Sequence, residues 1–285
     1  MSDILSERPP VLANPRSERI RQVAALGGRS FRKRTGRILV EGPQSVRELV
    51  RFRKDMIVDV YFTEPCAQRL PELYEEALAA TRWVHLVSQE VSDKISRDSQ
   101  GVVAVATDDA IGEPAAYLED VVSRASDGFS VILPALQDPG NMGTIIRSAD
   151  ALGARAVFVT RDSADPRSPK VIRASAGSVF HIDLVQADLD SIFAALGSAG
   201  VGIYGTALVP NTEVLDEWMV QGDHGPLGLP HAWMFGNEAR GLSPSQIDAC
   251  DRLVQIEMRG PAESLNASAA AAVCLHASSF ANHLA

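Results

Sequence analysis

Three glycine-bearing loops in the last 150 residues each follow a short apolar run, which requires a fold whose strands deliver several loops to one place. The first is Asp138-Pro139-Gly140-Asn141-Met142-Gly143, with Arg147 four residues on. The second is Gly236-Asn237-Glu238-Ala239-Arg240-Gly241-Leu242, and the third is Gly260 followed by Ser264-Leu265-Asn266-Ala267-Ser268. Glycine lets a backbone approach a ligand closely. Asn, Glu and Ser supply hydrogen bonds without a metal or a nucleophile. Three such loops imply a pocket for a polar cofactor.

The apolar runs alternate with helical patterns, as in α/β proteins. In the first part, strands are expected at 37–40, 57–62, 83–87 and 102–106, with helices at 16–26, 44–52, 70–81 and 88–95. This gives an unstructured arm over 1–15, a small α/β domain over 16–108 and a linker over 109–127 that carries a short helix, 115–122. The second domain, 128–285, has strand patterns at 131–136, 156–160, 201–206, 233–235 and 253–256, with helices at 144–152, 168–176 and 189–199 between them. Such βαβ units build a mainly parallel sheet, and ligands of these sheets bind beyond the strand C-termini. All three loops lie there.

The 285 residues carry a net charge of −9, unevenly spread. Residues 1–54 hold 13 Lys and Arg against 5 Asp and Glu, so the rest of the chain is strongly acidic. A basic end on an acidic chain points to a polyanion. Its densest part is Arg29, Arg32, Lys33, Arg34 and Arg37, the candidate RNA contacts. No uncharged apolar stretch reaches the roughly 20 residues of a membrane span, and the first 16 residues have no apolar signal core. Cys66, Cys250 and Cys274 have neither metal-ligand nor redox spacing, so a reducing cytoplasm is expected and no metal. The sequon Asn266-Ala267-Ser268 is discounted because no export signal is read.

Over Asn141–Leu152 a helix puts Ile145, Ala149 and Leu152 on one stripe and turns Arg147 away from it. A cation in an early turn opposes the helix dipole, which hints at function. Ser243 and Gln246 form a capping box with Pro244 at the first helical position, so the second loop is held by a helix start. The run Gly197, Gly200, Gly202, Gly205 precedes a strand, whereas a dinucleotide fingerprint follows one. His181, His224, His231 and His276 have no ligand spacing and read as surface or satisfied core histidines.

In order and position, the three loops resemble the motifs of the SpoU (TrmH-like) RNA 2′-O-ribose methyltransferases, a branch of the knotted SPOUT class. Leu39-Val40-Glu41-Gly42 and Ser99-Gln100-Gly101-Val102-Val103-Ala104 are similar to the start and end of the L30e-like substrate-binding domain that precedes many of these catalytic domains. The resemblance implies a C-terminal α/β knot, with a deep trefoil and a mainly parallel sheet, behind a smaller L30e-like domain. It implies S-adenosylmethionine as methyl donor, a ribose 2′-hydroxyl as acceptor and a homodimer. Cofactor contacts would come from Thr206, Gly236, Asn237, Gly241, Ile256, Met258, Ser264, Leu265 and Ser268. Arg147, Asn141, Glu238 and Asn266 would form the catalytic set. Glu257 stands where many relatives have proline.

An arginine rarely gives up its proton, so Arg147 is read as positioning ribose and phosphate and stabilising developing oxyanion charge. The substrate reading is rRNA, most simply 23S, because the smaller tRNA enzymes usually lack the N-terminal domain. The alternatives are a tRNA 2′-O-methyltransferase and a non-catalytic RNA-binding or ribosome-assembly protein.

Overall fold

The apolar runs become the strands of two separate sheets. The structure is a computed structural model and describes residues 11–210 and 212–284. Two compact units emerge. The first contains the described residues up to Ile111 and, returning later in the chain, Arg167–Phe180; the second contains Gly112–Pro166 and the chain from His181 onward.

In the first unit α1 (Glu18–Ala25) and α2 (Arg29–Thr35) lead into β1 (Arg37–Glu41) and α3 (Pro43–Phe52). Then come β2 (Ile57–Thr63), α4 (Glu64–Arg69), α5 (Pro71–Ala80), β3 (Val84–Val87), α6 (Gln89–Ile95) and β4 (Val102–Thr107). The sheet order is β1-β4-β2-β3. β4 runs antiparallel to both neighbours, and β2 and β3 are parallel. Ser17 caps α1 by accepting from the Ile20 N–H, and the three-residue spacing of Ile20 and Val23 puts both into a core with Leu39, Tyr61 and Val105.

Two expectations change here. Most of the expected arm over 1–15 lies outside the described residues, but Leu12 is ordered against β3. Its N–H donates to Leu86 O (2.8 Å) and its carbonyl accepts from Ser88 N (3.1 Å). An apolar residue with an open strand edge beside it pairs despite the flanking prolines. The helix expected at 168–176 is α9 (Pro169–Ala174), and it packs on β1 in the first unit, not on the second sheet. Val171 and Ile172 are buried, and Arg173 pairs with Glu41 and with Asp98 (3.0 Å). Periodicity fixed the helix but could not name its partner.

The second unit contains α7 (Leu118–Ala125), β5 (Phe129–Leu133), α8 (Pro139–Leu152), β6 (Ala156–Thr160), β7 (Asp183–Ala187), α10 (Leu189–Ser198) and β8 (Gly202–Thr206). It continues with β9 (Glu213–Val214), α11 (Leu215–Gln221), β10 (His231–Met234), α12 (Pro244–Asp248), β11 (Arg252–Gln255) and α13 (Ala267–Leu284). Its seven strands are ordered β7-β6-β5-β10-β8-β11-β9, and every pairing is parallel. β10 is inserted between β5 and β8, both earlier in the chain, and β11 enters on the other side of β8. α13 then returns to pack along α8. This order agrees with the trefoil knot that the resemblance implied.

The segment expected as a linker is partly core. Leu118, Val121, Val122 and Ala125 of α7 pack with Ile132 and Phe158. At roughly 1.5–3 kcal/mol per fully buried large aliphatic side chain, this helix is a fixed part of the unit. β7 was not anticipated, because an edge strand of sequence Asp-Leu-Val-Gln-Ala has too little apolar character to read as one. No helix among the described residues is long and apolar enough to cross a membrane.

Candidate active site

The sheet delivers the three motif loops to the C-terminal ends of β5, β10 and β11. α8 begins at Pro139, five residues before the helix expected over 144–152. Asp138 caps it by accepting from Asn141 N (2.8 Å), and a proline suits the first helical position. Asn141 therefore sits in the first turn of a helix, not in a free loop.

Glu238 ties the first loop to the second. Its carboxylate accepts from Gln137 N (3.2 Å), Asp138 N (2.9 Å) and Asn141 Nδ2 (3.4 Å). Burial alone would push this carboxyl up. The backbone donors of Glu238, Asp138 and Gln137 and the Asn141 amide outweigh burial and hold it below the ordinary carboxylate value. A carboxylate held this way is a firm acceptor and a weak base.

Asn237 spends its side chain on the same task. Its Nδ2 donates to Ala135 O (2.9 Å), and its Oδ1 accepts from the backbone of Ala239 and Arg240. Asn237 and Gly241 exchange both backbone bonds, at 3.0 and 2.8 Å. The turn is tight enough that a Cβ on Gly236 would run into the Gly241 carbonyl, and Gly241 itself has φ +64°. Ala135, which receives the Asn237 bond, has φ +51°, a conformation costly for alanine. Strain of this kind collects where surrounding structure over-determines a loop.

A cavity of about 390 Å³ opens between the second and third loops and the chain just beyond β8. Thr206, Gly236, Asn237, Gly241, Ile256, Met258, Ser264 and Leu265 line it, joined by Glu238. Ser268 does not line it. At the second position of α13, its backbone N–H and hydroxyl both donate to Asn266 Oδ1 (2.8 and 2.7 Å). Glu238 also lines a neighbouring recess with Gln137, Asp138, Asn141 and Asn266. Arg147 lines neither. It is exposed on α8 and has no charged or hydrogen-bonding partner among the described residues.

Sequence reasoning missed part of the wall: Ala207, Leu208, Val209, Phe235 and Leu242. Their position just beyond β8 and β10 was the available signal. Of the expected RNA contacts, Arg29, Lys33, Arg34 and Arg37 are exposed, but Arg32 is buried. Its guanidinium donates to Leu26 O (3.1 Å) and Gly27 O (2.9 Å), closing the end of α1. A side chain on the inner face of α2 that can satisfy orphan helix carbonyls is drawn inside, so Arg32 is withdrawn from the RNA set. Among the histidines, His181 pairs with Asp150, His224 and His276 are exposed, and His231 is fully buried.

A seven-stranded parallel sheet whose loops line such a cavity at its C-terminal edge is the arrangement found in the SPOUT methyltransferases. Residues 128–276 match the SpoU rRNA Methylase family, and residues 39–110 match the family described as RNA 2′-O ribose methyltransferase substrate binding. The chain belongs to the SpoU rRNA methylase family and is an S-adenosylmethionine-dependent RNA (ribose-2′-O)-methyltransferase.

A 23S rRNA (guanosine(2553)-2'-O)-methyltransferase of Bacillus subtilis is 36% identical over 149 residues, 51% of this chain and 56% of that relative, so only about half of the relative's length is spanned. A 23S rRNA (guanosine-2'-O-)-methyltransferase of Bordetella pertussis is 34% identical over 214 residues, 74% of this chain and 83% of that one. The AdoMet-bound rRNA methyltransferase from Sinorhizobium meliloti superposes with a TM-score of 0.79 at 25% identity, covering 97% of this chain and 98% of that one.

Proposed function

We propose that this enzyme methylates a ribose 2′-hydroxyl of 23S rRNA, and that the residues brought together above divide the work. The observation that carries this reading is the convergence of the second and third loops on one cavity, with Asn141 of the first loop meeting Glu238 and Asn266 in the recess beside it. The cavity falls within the roughly 300–1,000 Å³ of small-molecule sites, and its wall of backbone groups and apolar side chains suits a nucleoside with an amino-acid tail. S-adenosylmethionine held there supplies a sulfonium methyl, electrophilic toward an oxygen nucleophile.

Thr206, Gly236, Gly241, Ile256, Met258, Ser264 and Leu265 hold the cofactor. Asn237 contributes by fixing the loop, and Ser268 acts through Asn266. Glu238 is a positioning residue, since its low proton affinity makes it a poor acceptor for the hydroxyl proton. Asn141, and Asn266 through its free Nδ2, orient the ribose. Arg147 keeps its proton and places the RNA phosphate while stabilising charge that develops on the attacking oxygen.

Two further parts belong to this reading. The L30e-like segment and the exposed Arg29, Lys33, Arg34 and Arg37 bind structured RNA. The chain works as a cytoplasmic homodimer, with the exposed Val273 and Phe280 of α13 in the contact and Arg147 completing the site near it. The test is transfer of labelled methyl to purified 23S rRNA, 16S rRNA and tRNA, followed by nuclease digestion and mass spectrometry. A 2′-O-methylated nucleotide in the 23S pool is the expected result. Label confined to tRNA, or carried on a base, overturns the reading.

A further inference from the structure

The cations of the first unit fall into two populations. At the end of its sheet where β1 ends and α3 begins, Arg47, Arg69 and Arg173 line a cavity of about 410 Å³, but each is engaged. Arg173 pairs with Glu41 and Asp98, Arg69 Nη2 donates to Gln100 O (2.9 Å), and Arg47 Nη1 donates to Gln44 Oε1 (3.3 Å).

The opposite end is different. There β1, β2 and β3 begin and β4 ends, as the pairings Arg37↔Thr107, Ile57↔Ala106 and Val60↔Val84 show. Arg34, Arg37, Arg53, Lys54 and Arg82 all lie at this end, and none has an acidic partner among the described residues. The Arg53 Nε is buried with no hydrogen-bond partner. Asp55, Asp108 and Asp109 lie at the same end, and Asp59, at the level of Trp83, is already paired with Arg19 and His85.

Two aromatic side chains stand among these cations. Trp83 is 48% exposed and Phe52 is 55% exposed. The Arg82 guanidinium lies 4.7 Å from the centroid of the Trp83 ring, and the Trp83 carbonyl is fixed by Val60 N (2.9 Å). Four strands at about 4.8 Å spacing make this a strip roughly 14 Å wide. Free cations with exposed aromatic faces are the chemistry of single-stranded nucleic acid: charge takes the phosphates, and a ring takes an unpaired base.

We infer that the strand-start end of the first sheet, centred on Trp83 and Arg82 with Arg53 and Lys54, binds an unpaired stretch of the substrate RNA by stacking a base on Trp83. The inference rests on the rRNA reading above and names the part of the RNA that the first unit grips. The duplex or loop that reaches the methyl-transfer cavity is a separate contact.

Trp83 provides its own reporter. The chain has three tryptophans, and Trp218 and Trp233 are 1% and 0% exposed. The full-length protein is titrated with a 12-nucleotide single-stranded oligouridylate and with 23S rRNA transcript while tryptophan emission is followed. Both RNAs quench the emission of the unsubstituted protein. Trp83→Phe removes the quench and weakens binding a few-fold, because a smaller ring still stacks. Trp83→Ala weakens it about tenfold. Arg53→Ala/Lys54→Ala/Arg82→Ala weakens it more than tenfold at low salt and lowers the salt slope by about 2. Arg47→Ala/Arg69→Ala changes affinity less than threefold.

An absent quench with the oligouridylate, an unchanged affinity in Trp83→Ala, or an equal loss in Arg47→Ala/Arg69→Ala overturns the surface. Methyl transfer to rRNA is measured on the same preparations. Quenching with no transfer to rRNA leaves the surface standing and removes the 23S reading; transfer without quenching does the reverse.

Discussion

The two sheets end in opposite ways. At the C-terminal edge of the second sheet, nearly every polar group is already engaged: Glu238 takes three donors, Asn237 spends its whole amide, and Asn266 Oδ1 takes two. At the strand-start end of the first sheet, the cations stand without acids. The difference follows from what each surface meets. A small cofactor is bound well only if its pocket holds its shape beforehand, because ordering the loops on binding costs affinity. A phosphate backbone brings its own charge and releases counterions, so the protein keeps its cations available.

The largest expected effect is at Arg147, the one member of the proposed catalytic set that lines neither cavity. Arg147→Ala keeps S-adenosylmethionine affinity by calorimetry and loses about 1,000-fold in methyl transfer, near the upper range for removing a group that stabilises developing charge. Full activity in this variant would take Arg147 out of the mechanism.

His231 comes next, and it acts on stability. Its ring is buried between β10 and α13. Trp233 Nε1 donates to Ser278 Oγ (2.8 Å), the Ser278 hydroxyl donates to His231 Nε2 (2.7 Å), and His231 Nδ1 donates to Leu229 O (2.7 Å). Burial pushes the ring down from 6.5 to about 4, against the Leu229 bond that raises it. The folded state resists the proton that the unfolded state accepts. The neutral ring therefore costs no stability above pH 6.5, and stability falls as pH drops from 6.5 toward 4, by about 3 kcal/mol. Denaturant melts at pH 7.5 and 4.5 should show the loss, and His231→Phe should flatten that part of the profile while lowering stability at pH 7.5. A flat wild-type profile would mean that the ring is not buried neutral.

Glu238→Gln should reduce turnover about 10- to 100-fold. Its amide oxygen can keep one or two of the three bonds but without charge, and hydrogen bonds to a charged group contribute about 1.5–3 kcal/mol. Both kcat and cofactor affinity should decline, because the variant loosens both loops. A loss confined to kcat, with a shifted pH optimum, would make Glu238 a proton acceptor instead.

The smallest effect on RNA is expected at Arg32. Arg32→Ala should lower the melting temperature while changing RNA affinity less than twofold, whereas Arg34→Ala/Arg37→Ala should weaken RNA binding several-fold with no change in melting. Filter binding and thermal melts on the same samples read both. Equal RNA losses in the two variants would dissolve the distinction between engaged and free cations.

Most strands and the order of the three loops were legible in the residues, because an apolar run bounded by glycine has few ways to fold. Leu39-Val40 and Val102 to Ala106 read as strands and are strands. The edge strand at 183–187 was not legible, since an edge position does not demand an apolar sequence. Eight of the nine expected cofactor residues share one cavity; the exception, Ser268, was assigned by motif position, which does not say where a hydroxyl turns. The wall at Ala207 and Leu208 was hidden because neither residue type marks a site; only its place just beyond β8 points to one.

The chain's pattern settled the α/β class, the basic first segment and the chemical family of the loops, since periodicity, charge and glycine spacing are local properties. Partners were settled by packing. α9 joined the first sheet instead of the second, α7 became core instead of tether, Arg32 went inside while Arg34 and Arg37 stayed out, and Trp83 with Arg82 came to the same sheet end as cations from two distant segments. Apart from Arg32, whose bonds reach back only five and six residues, these depend on which surfaces meet across long sequence separations, where burial and hydrogen-bond satisfaction are decided for the whole chain at once.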